Sequence, residues 1–257
     1  MMVVSVLAVS ASADTVQFGI GRKTPVLDGF VSRTEYGAYV PYSYECDSSL
    51  AAEDMPWSER SPKCYFAWDD ECFYAAMVSD GVRLKTLVSQ RDANVYTDDS
   101  VELYLSGNGR KTPLHQIIVN SRGVICDLRD GKREWNAAGV RVANGVKDGK
   151  WTVEIALPWK DVGFTPASQL FAPHVNFCRN YHSGQSGSVR FIDLDENYCT
   201  TLGHGNYAQR DTQALVFLRD KVGKVEFPEL KVPGEINSLS VEISPPTVSA
   251  RTIRCRR

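Results

Sequence analysis

From Lys63 to Leu218 the chain alternates apolar and polar side chains in short runs, at roughly ten-residue spacing, broken by Gly, Asn and Asp. A period of two belongs to an extended strand with one face buried, because successive side chains point to opposite sides of the pleat. Helical periodicity is nearly absent. The cleanest run places Trp151, Val153, Ile155 and Leu157 on one face and Thr152, Glu154 and Ala156 on the other, and Pro158 ends it. Cys64, Phe66 and Trp68 alternate with Tyr65 and Ala67, Asp69-Asp70-Glu71 makes a polar turn, and residues 72–78 are apolar on both faces. That pattern predicts a hairpin with a central second strand. A second hairpin is expected around Asn120-Ser121-Arg122-Gly123. A third pair joins Val140–Val142 to the Trp151 strand through Asn144-Gly145 and Asp148-Gly149, and residues 158–163 read as one helical turn.

Upstream, residues 16–20 alternate weakly, and Val26-Leu27-Asp28-Gly29-Phe30 reads as strand followed by turn. Residues 31–62 read as a long loop with a short helix at 48–53, and Ala214–Leu218 as a closing strand. Together these predict an all-β fold, an antiparallel β-sandwich with jelly-roll or immunoglobulin-like layering, over residues 14–220. Residues 221–257, with Pro228, Pro233, Pro245 and Pro246, read as a Pro-rich tail: a linker, or the start of an incomplete following module with a strand near 238–243.

With 257 residues, 43% apolar, the chain can bury a sizeable core. Its formal charge of −2, and the lack of a basic stripe before Arg251, Arg254, Arg256 and Arg257, argue against a nucleic-acid partner. Residues 1–9 form a short apolar run broken by Ser5, and Ala11-Ser12-Ala13 precedes Asp14, the pattern of an export signal cut after Ala13, so a secreted or extracytoplasmic protein is expected. That run is shorter than the roughly 20 apolar residues of a membrane span. Seven cysteines permit disulfides after export, but their odd number and spacing define no framework, and no zinc pattern occurs.

Chemistry concentrates around Asp98-Asp99-Ser100-Val101-Glu102-Leu103-Tyr104-Leu105. As a strand it puts Val101, Leu103 and Leu105 on the core face and Ser100, Glu102 and Tyr104 on the other. Glu102 can accept from ligand hydroxyls beside an aromatic platform at Tyr96, or can be a solvent-facing carboxylate. Asp98 and Asp99 can meet a ligand or cap the turn before the strand. Further on, Asn176, Cys178 and Asn180 alternate against Val175, Phe177, Arg179 and Tyr181. Asp193, Asp195 and Asn197 have the first three spacings of a calcium loop, but Tyr198 replaces the Gly at the sixth position and no Glu stands at the twelfth, leaving a calcium candidate. A haem-binding redox module is an alternative, with Met77 or a His as axial ligand; Met77 also fits a core position.

The chain resembles the family 9 carbohydrate-binding modules found beside xylanases and other secreted polysaccharide-degrading enzymes. The resemblance is carried in order by Leu27-Asp28-Gly29, Ala67-Trp68-Asp69-Asp70 with Phe73-Tyr74, Asp99-Ser100-Val101-Glu102, residues 151–159 and Val175-Asn176-Phe177-Cys178-Arg179, across roughly residues 16–218. It implies a non-catalytic β-sandwich that holds the end of a glycan between two aromatic rings, for an associated glycoside hydrolase. On this resemblance the rings are Tyr96, six residues before Glu102, and Tyr207; both positions are usually Trp in the best-characterised sugar binders of the family. Gln116 and Asn120 match polar positions, while Ile118 stands where an Arg is expected. Arg179 either supplies that cation from a neighbouring strand or pairs with Glu154 or Glu102 within the sheet. Stacking on the apolar C–H face of a sugar, with directional partners for its hydroxyls, is the physical basis of such a site.

Overall fold

Two β-sheets packed face to face make up the fold. The structure, a computed structural model, describes residues 17–40, 45–46, 62–80, 84–107, 112–166, 173–180, 198–200, 213–220, 239–240 and 252–253. Its strands in chain order are β1 (Gln17–Gly21), β2 (Ala38–Val40), β3 (Glu45–Cys46), β4 (Lys63–Trp68), β5 (Cys72–Asp80), β6 (Ser100–Ser106), β7 (Leu114–Asn120), β8 (Ile125–Arg129), β9 (Arg141–Lys147), β10 (Lys150–Pro158), β11 (His174–Asn180), β12 (Tyr198–Thr200), β13 (Ala214–Arg219), β14 (Leu239–Ser240) and β15 (Thr252–Ile253). The first sheet runs β1-β13-β11-β6-β7-β8, with β12 also on β11 and β3 on β12; the second runs β2-β4-β5-β10-β9. All pairs are antiparallel except β1 with β13. β14 and β15 form a separate two-residue pair. Among the described residues no helix is long and apolar enough to cross a membrane.

The alternation in the sequence becomes the space between the sheets. Val101, Leu103 and Leu105 of β6 and Val175 and Phe177 of β11 share one core with Cys64, Phe66 and Trp68 of β4, Met77 of β5, and Trp151, Val153, Ile155 and Leu157 of β10. Each aliphatic side chain removed from water there contributes about 1.5–3 kcal/mol. Phe66 meets Phe177 across the sheets edge to face, with centroids 6.0 Å apart. As its unbroken apolar run predicts, β5 is central, between β4 and β10. The expected helical turn is α1 (Trp159–Val162), ended by Gly163 in the left-handed conformation at φ 71°.

Two local expectations are corrected. Val26-Leu27 is not a strand, although the chain does bend at Asp28-Gly29: Val26 is 65% exposed, and the backbone N–H groups of Asp28 and Gly29 donate to Glu154 Oε2 at 3.0 and 2.7 Å. Asn144-Gly145 is no turn either, since both residues lie within β9 and only Asp148-Gly149 joins it to β10. Gly145 lies against Gly29, where a Cβ on Gly145 would come within 2.3 Å of the Gly29 carbonyl oxygen. Small residues are therefore required where loop and strand backbones meet. The helix expected at 48–53 falls outside the described residues.

Candidate functional site

Strand pairing sets out the outward face of the first sheet in transverse rows. One row reads Cys178, Glu102, Ile118, Cys126 across β11, β6, β7 and β8; the next reads Asn176, Tyr104, Gln116, Leu128. Residues opposite one another on paired strands share a face, so these side chains form one continuous floor. Val95, Ile118 and Cys126 are its buried apolar part, with Val88, Val124 and Leu128 packed beside them.

Glu102, only 2% exposed, is the polar centre of the floor. Its Oε2 accepts from the Tyr104 hydroxyl at 2.5 Å and from Gln116 Nε2 at 2.7 Å, and its Oε1 accepts from Asn180 Nδ2 at 2.7 Å. Gln116 Nε2 also lies 2.7 Å from the Tyr104 hydroxyl, and Asn180 Nδ2 lies 3.0 Å from Ser100 Oγ. A carboxylate has about four acceptor positions, and these three donors fix its orientation. Burial, with the Glu102 charge beside it, drives the Cys178 thiol well above its ordinary range, and burial pushes the Cys126 thiol up to about 11. Both stay protonated near neutrality, which makes them poor nucleophiles and poor metal ligands.

Tyr96 stands on a 3-10 turn, Val95–Thr97, and is 43% exposed while its neighbour Val95 is fully buried in the apolar part of the floor. Consecutive aspartates clamp the chain just after this turn. Asp98 accepts from the Leu87 and Val88 backbone N–H groups at 2.9 and 2.8 Å and from Asn120 Nδ2 at 3.0 Å. Asp99 accepts from the Lys85 N–H and from Arg179 Nη2, each at 2.7 Å. Both carboxylates are fully buried. The ring of Tyr96 is thus carried on a short turn whose following residues cannot drift.

Of the residues expected around Glu102, the structure brings Gln116 to it and places two others elsewhere. Asn120 is fully buried and holds its own hairpin, its Oδ1 accepting from the Arg122 and Val124 N–H groups at 3.1 and 3.0 Å and its Nδ2 donating to Asp98 and to the Val88 carbonyl. Arg179 lies on the opposite face, with Val175 and Phe177, because it is an odd step from Cys178 along β11. There it pairs with Asp99 rather than with Glu102 or Glu154, donates from Nε to Ser79 Oγ at 3.1 Å, and sits 4.7 Å from the centre of the Trp151 ring. Tyr207 and the calcium candidate Asp193, Asp195 and Asn197 lie outside the described residues. Among the described residues no group of three His, Cys, Asp or Glu is placed to hold a metal ion. Met77 is fully buried between the sheets, in the core position open to it from the sequence.

Comparison with known proteins follows the same outline. The profile of the carbohydrate family 9 binding domain-like family matches residues 28–195, well over half of the chain. The chain belongs to this family. Similar solved structures include a family 9 carbohydrate-binding module of Caldicellulosiruptor kristjanssonii in complex with glucose, with TM-score 0.54 and 14% identity over 81% of this chain and 98% of that one. A module of the same organism in complex with cellotriose gives TM-score 0.56 and 14% identity over 84% and 98%. A putative carbohydrate-binding protein from Bacteroides uniformis ATCC 8492 gives 0.56 and 10% over 79% and 99%. These likenesses establish the shared fold. No curated protein matches the chain.

Two members of the Glu102 cluster, Tyr104 and Asn180, were not among the expected site residues. The signal for Tyr104 was present, since it shares Glu102's parity on β6. Asn180 shares only the parity of Asn176 and Cys178, and it reaches Glu102 because β11 pairs with β6 at the register Cys178 to Glu102. That register is not written in either segment alone.

Proposed function

We propose that the chain is a secreted, non-catalytic carbohydrate-binding module. In this reading it holds the end of a glycan between Tyr96 and Tyr207, in service of a glycoside hydrolase that degrades polysaccharide. The observation that supports it is a half-exposed aromatic ring on a clamped turn, six residues before a carboxylate already oriented by an amide, a hydroxyl and a second amide. An aromatic face takes up the C–H face of a sugar, and a pre-oriented carboxylate with its amide neighbour meets equatorial hydroxyls without first having to be ordered. Glu102 and Gln116 serve as direct partners. Asn120 and Arg179 act one step back, fixing Asp98 and Asp99 and with them the turn of Tyr96. Glucose and cellotriose, the ligands of the two Caldicellulosiruptor complexes, are the natural first probes.

Isothermal titration of the full chain with glucose, cellotriose and xylo-oligosaccharides tests the reading, followed by a glycan array. Tyr96→Ala is expected to weaken binding by roughly ten- to hundredfold, the range for loss of an anchoring ring, with little change in melting temperature. Glu102→Gln is expected to weaken binding as well. Unchanged affinity in Tyr96→Ala, or no binding of any of these sugars at millimolar concentration, would overturn the assignment.

A further inference from the structure

We infer that Cys46 and Cys199 are a disulfide pair that staples β3 to β12 at the margin of the sheet bearing the site. The two residues stand directly opposite each other in the antiparallel β3–β12 register. Opposed residues of an antiparallel pair share a face of the sheet, and their Cα atoms lie about 4.5–5.5 Å apart. That separation falls inside the roughly 4.4–6.8 Å window of protein disulfides.

The same register extends the row inward. Cys199 is opposite Arg179, which is opposite Val101, which is opposite Val119. Val101 and Val119 are fully buried between the sheets, so Cys46 and Cys199 occupy the outermost two positions of a row that belongs to the core. The other described cysteines contrast with this pair. Cys64, Cys72, Cys126 and Cys178 are buried. Across their strands Cys64 faces Val40 and Met77, Cys72 faces Pro158, Cys126 faces Ile118, and Cys178 faces Glu102 and Thr200, none of them a cysteine.

The bond forms by loss of two protons and two electrons from the two thiols to a small-molecule disulfide such as glutathione disulfide, which leaves as two glutathione thiols. It closes a loop that spans both sheets, and it ties β3 to the strand beside β11, whose Asn180 holds Glu102.

The experiment uses the full chain equilibrated with glutathione disulfide, denatured in iodoacetamide and digested with trypsin without reductant. Cleavage after Arg33, Arg60, Arg190 and Arg210 leaves Cys46 and Cys199 as the lone cysteines of peptides 34–60 and 191–210. The expected product is the mass of these two peptides joined, lost on treatment with dithiothreitol. Dithiothreitol should also lower the melting temperature of the wild type and leave that of C46S/C199S unmoved. Recovery of the two peptides separately alkylated or glutathionylated, or of either joined to another cysteine, overturns the inference even if the double variant fails to fold. Sugar affinity is read separately. Binding without the linked peptides defeats the staple alone, and linked peptides without binding defeat the proposed function alone.

Discussion

Glu154 offers the sharpest test of how the outer face of the second sheet is held. It is fully buried on β10, where Oε1 accepts from the Tyr36 hydroxyl at 2.8 Å and Oε2 from the N–H groups of Asp28 and Gly29. Burial raises its pKa above the ordinary carboxylate value, although the three donors pull it back down. Glu154→Ala strands a buried hydroxyl and two backbone donors, each costing about 1–3 kcal/mol when left unsatisfied. Part of that is regained as the 26–30 segment loosens into water, so a net loss of about 3–5 kcal/mol is expected. Glu154→Gln keeps a carbonyl for the two N–H groups and lets the Tyr36 hydroxyl turn to accept from the amide. It loses charge assistance but also the cost of burying a charge, for a net of about 0–1.5 kcal/mol. The sign with pH follows from the raised pKa. The side chain's contribution is fully present below the unfolded value of about 4.3 and is lost as pH rises through the folded value. Urea denaturation at pH 4 and pH 7 should therefore show the wild type losing ground to Glu154→Gln toward neutrality. Equal losses in the Ala and Gln variants, or a wild type that gains on Gln as pH rises, would refute the reasoning.

Arg179→Ala leaves the fully buried Asp99 without its ion-pair partner and should cost about 3–5 kcal/mol, read as a fall in melting temperature. Gly29→Ala should destabilise by about 2–5 kcal/mol in urea, since a Cβ there meets the Asn144 carbonyl oxygen at 2.6 Å and φ is +88°. Ending the chain at residue 213 removes β13, which bridges β1 and β11, and calorimetry should then show a broad transition in place of a sharp one.

Where local alternation decided a strand, the sequence was readable. The parity of Trp151 and Glu154 on β10, and of Leu103 and Glu102 on β6, appears in the structure as core and outward faces. What could not be read were contacts made across the fold. Glu154 meets Gly29 across 125 positions, and without that partner residues 26–30 look like any short apolar strand before a turn. Arg179 shows the same limit in another form. Its parity with Val175 and Phe177 marked a core position, but a buried cation needs a buried anion, and Asp99 lies 80 positions away, just before a strand whose pairing neither segment encodes. The cluster around Glu102 was half legible, because Gln116 came with the family resemblance while Asn180 depended on the β11–β6 register.

The parallel pairing of β1 with β13 has a kinetic consequence. Gln17 of β1 finds its partner in Leu215 of β13, and beyond the strand Arg22 bridges in parallel to Trp68 of the other sheet. A ribosome adding about 5–20 residues per second takes roughly 10–40 s to traverse the interval between β1 and β13. For all of that time β1 lacks the strand it finally pairs with. High contact order of this kind slows folding and leaves an unpaired strand edge open to wrong partners. The chain can therefore close its sandwich only after β13 is made, and a factor that shields residues 17–21 until then should raise the yield of folded protein more than one acting on any internal hairpin.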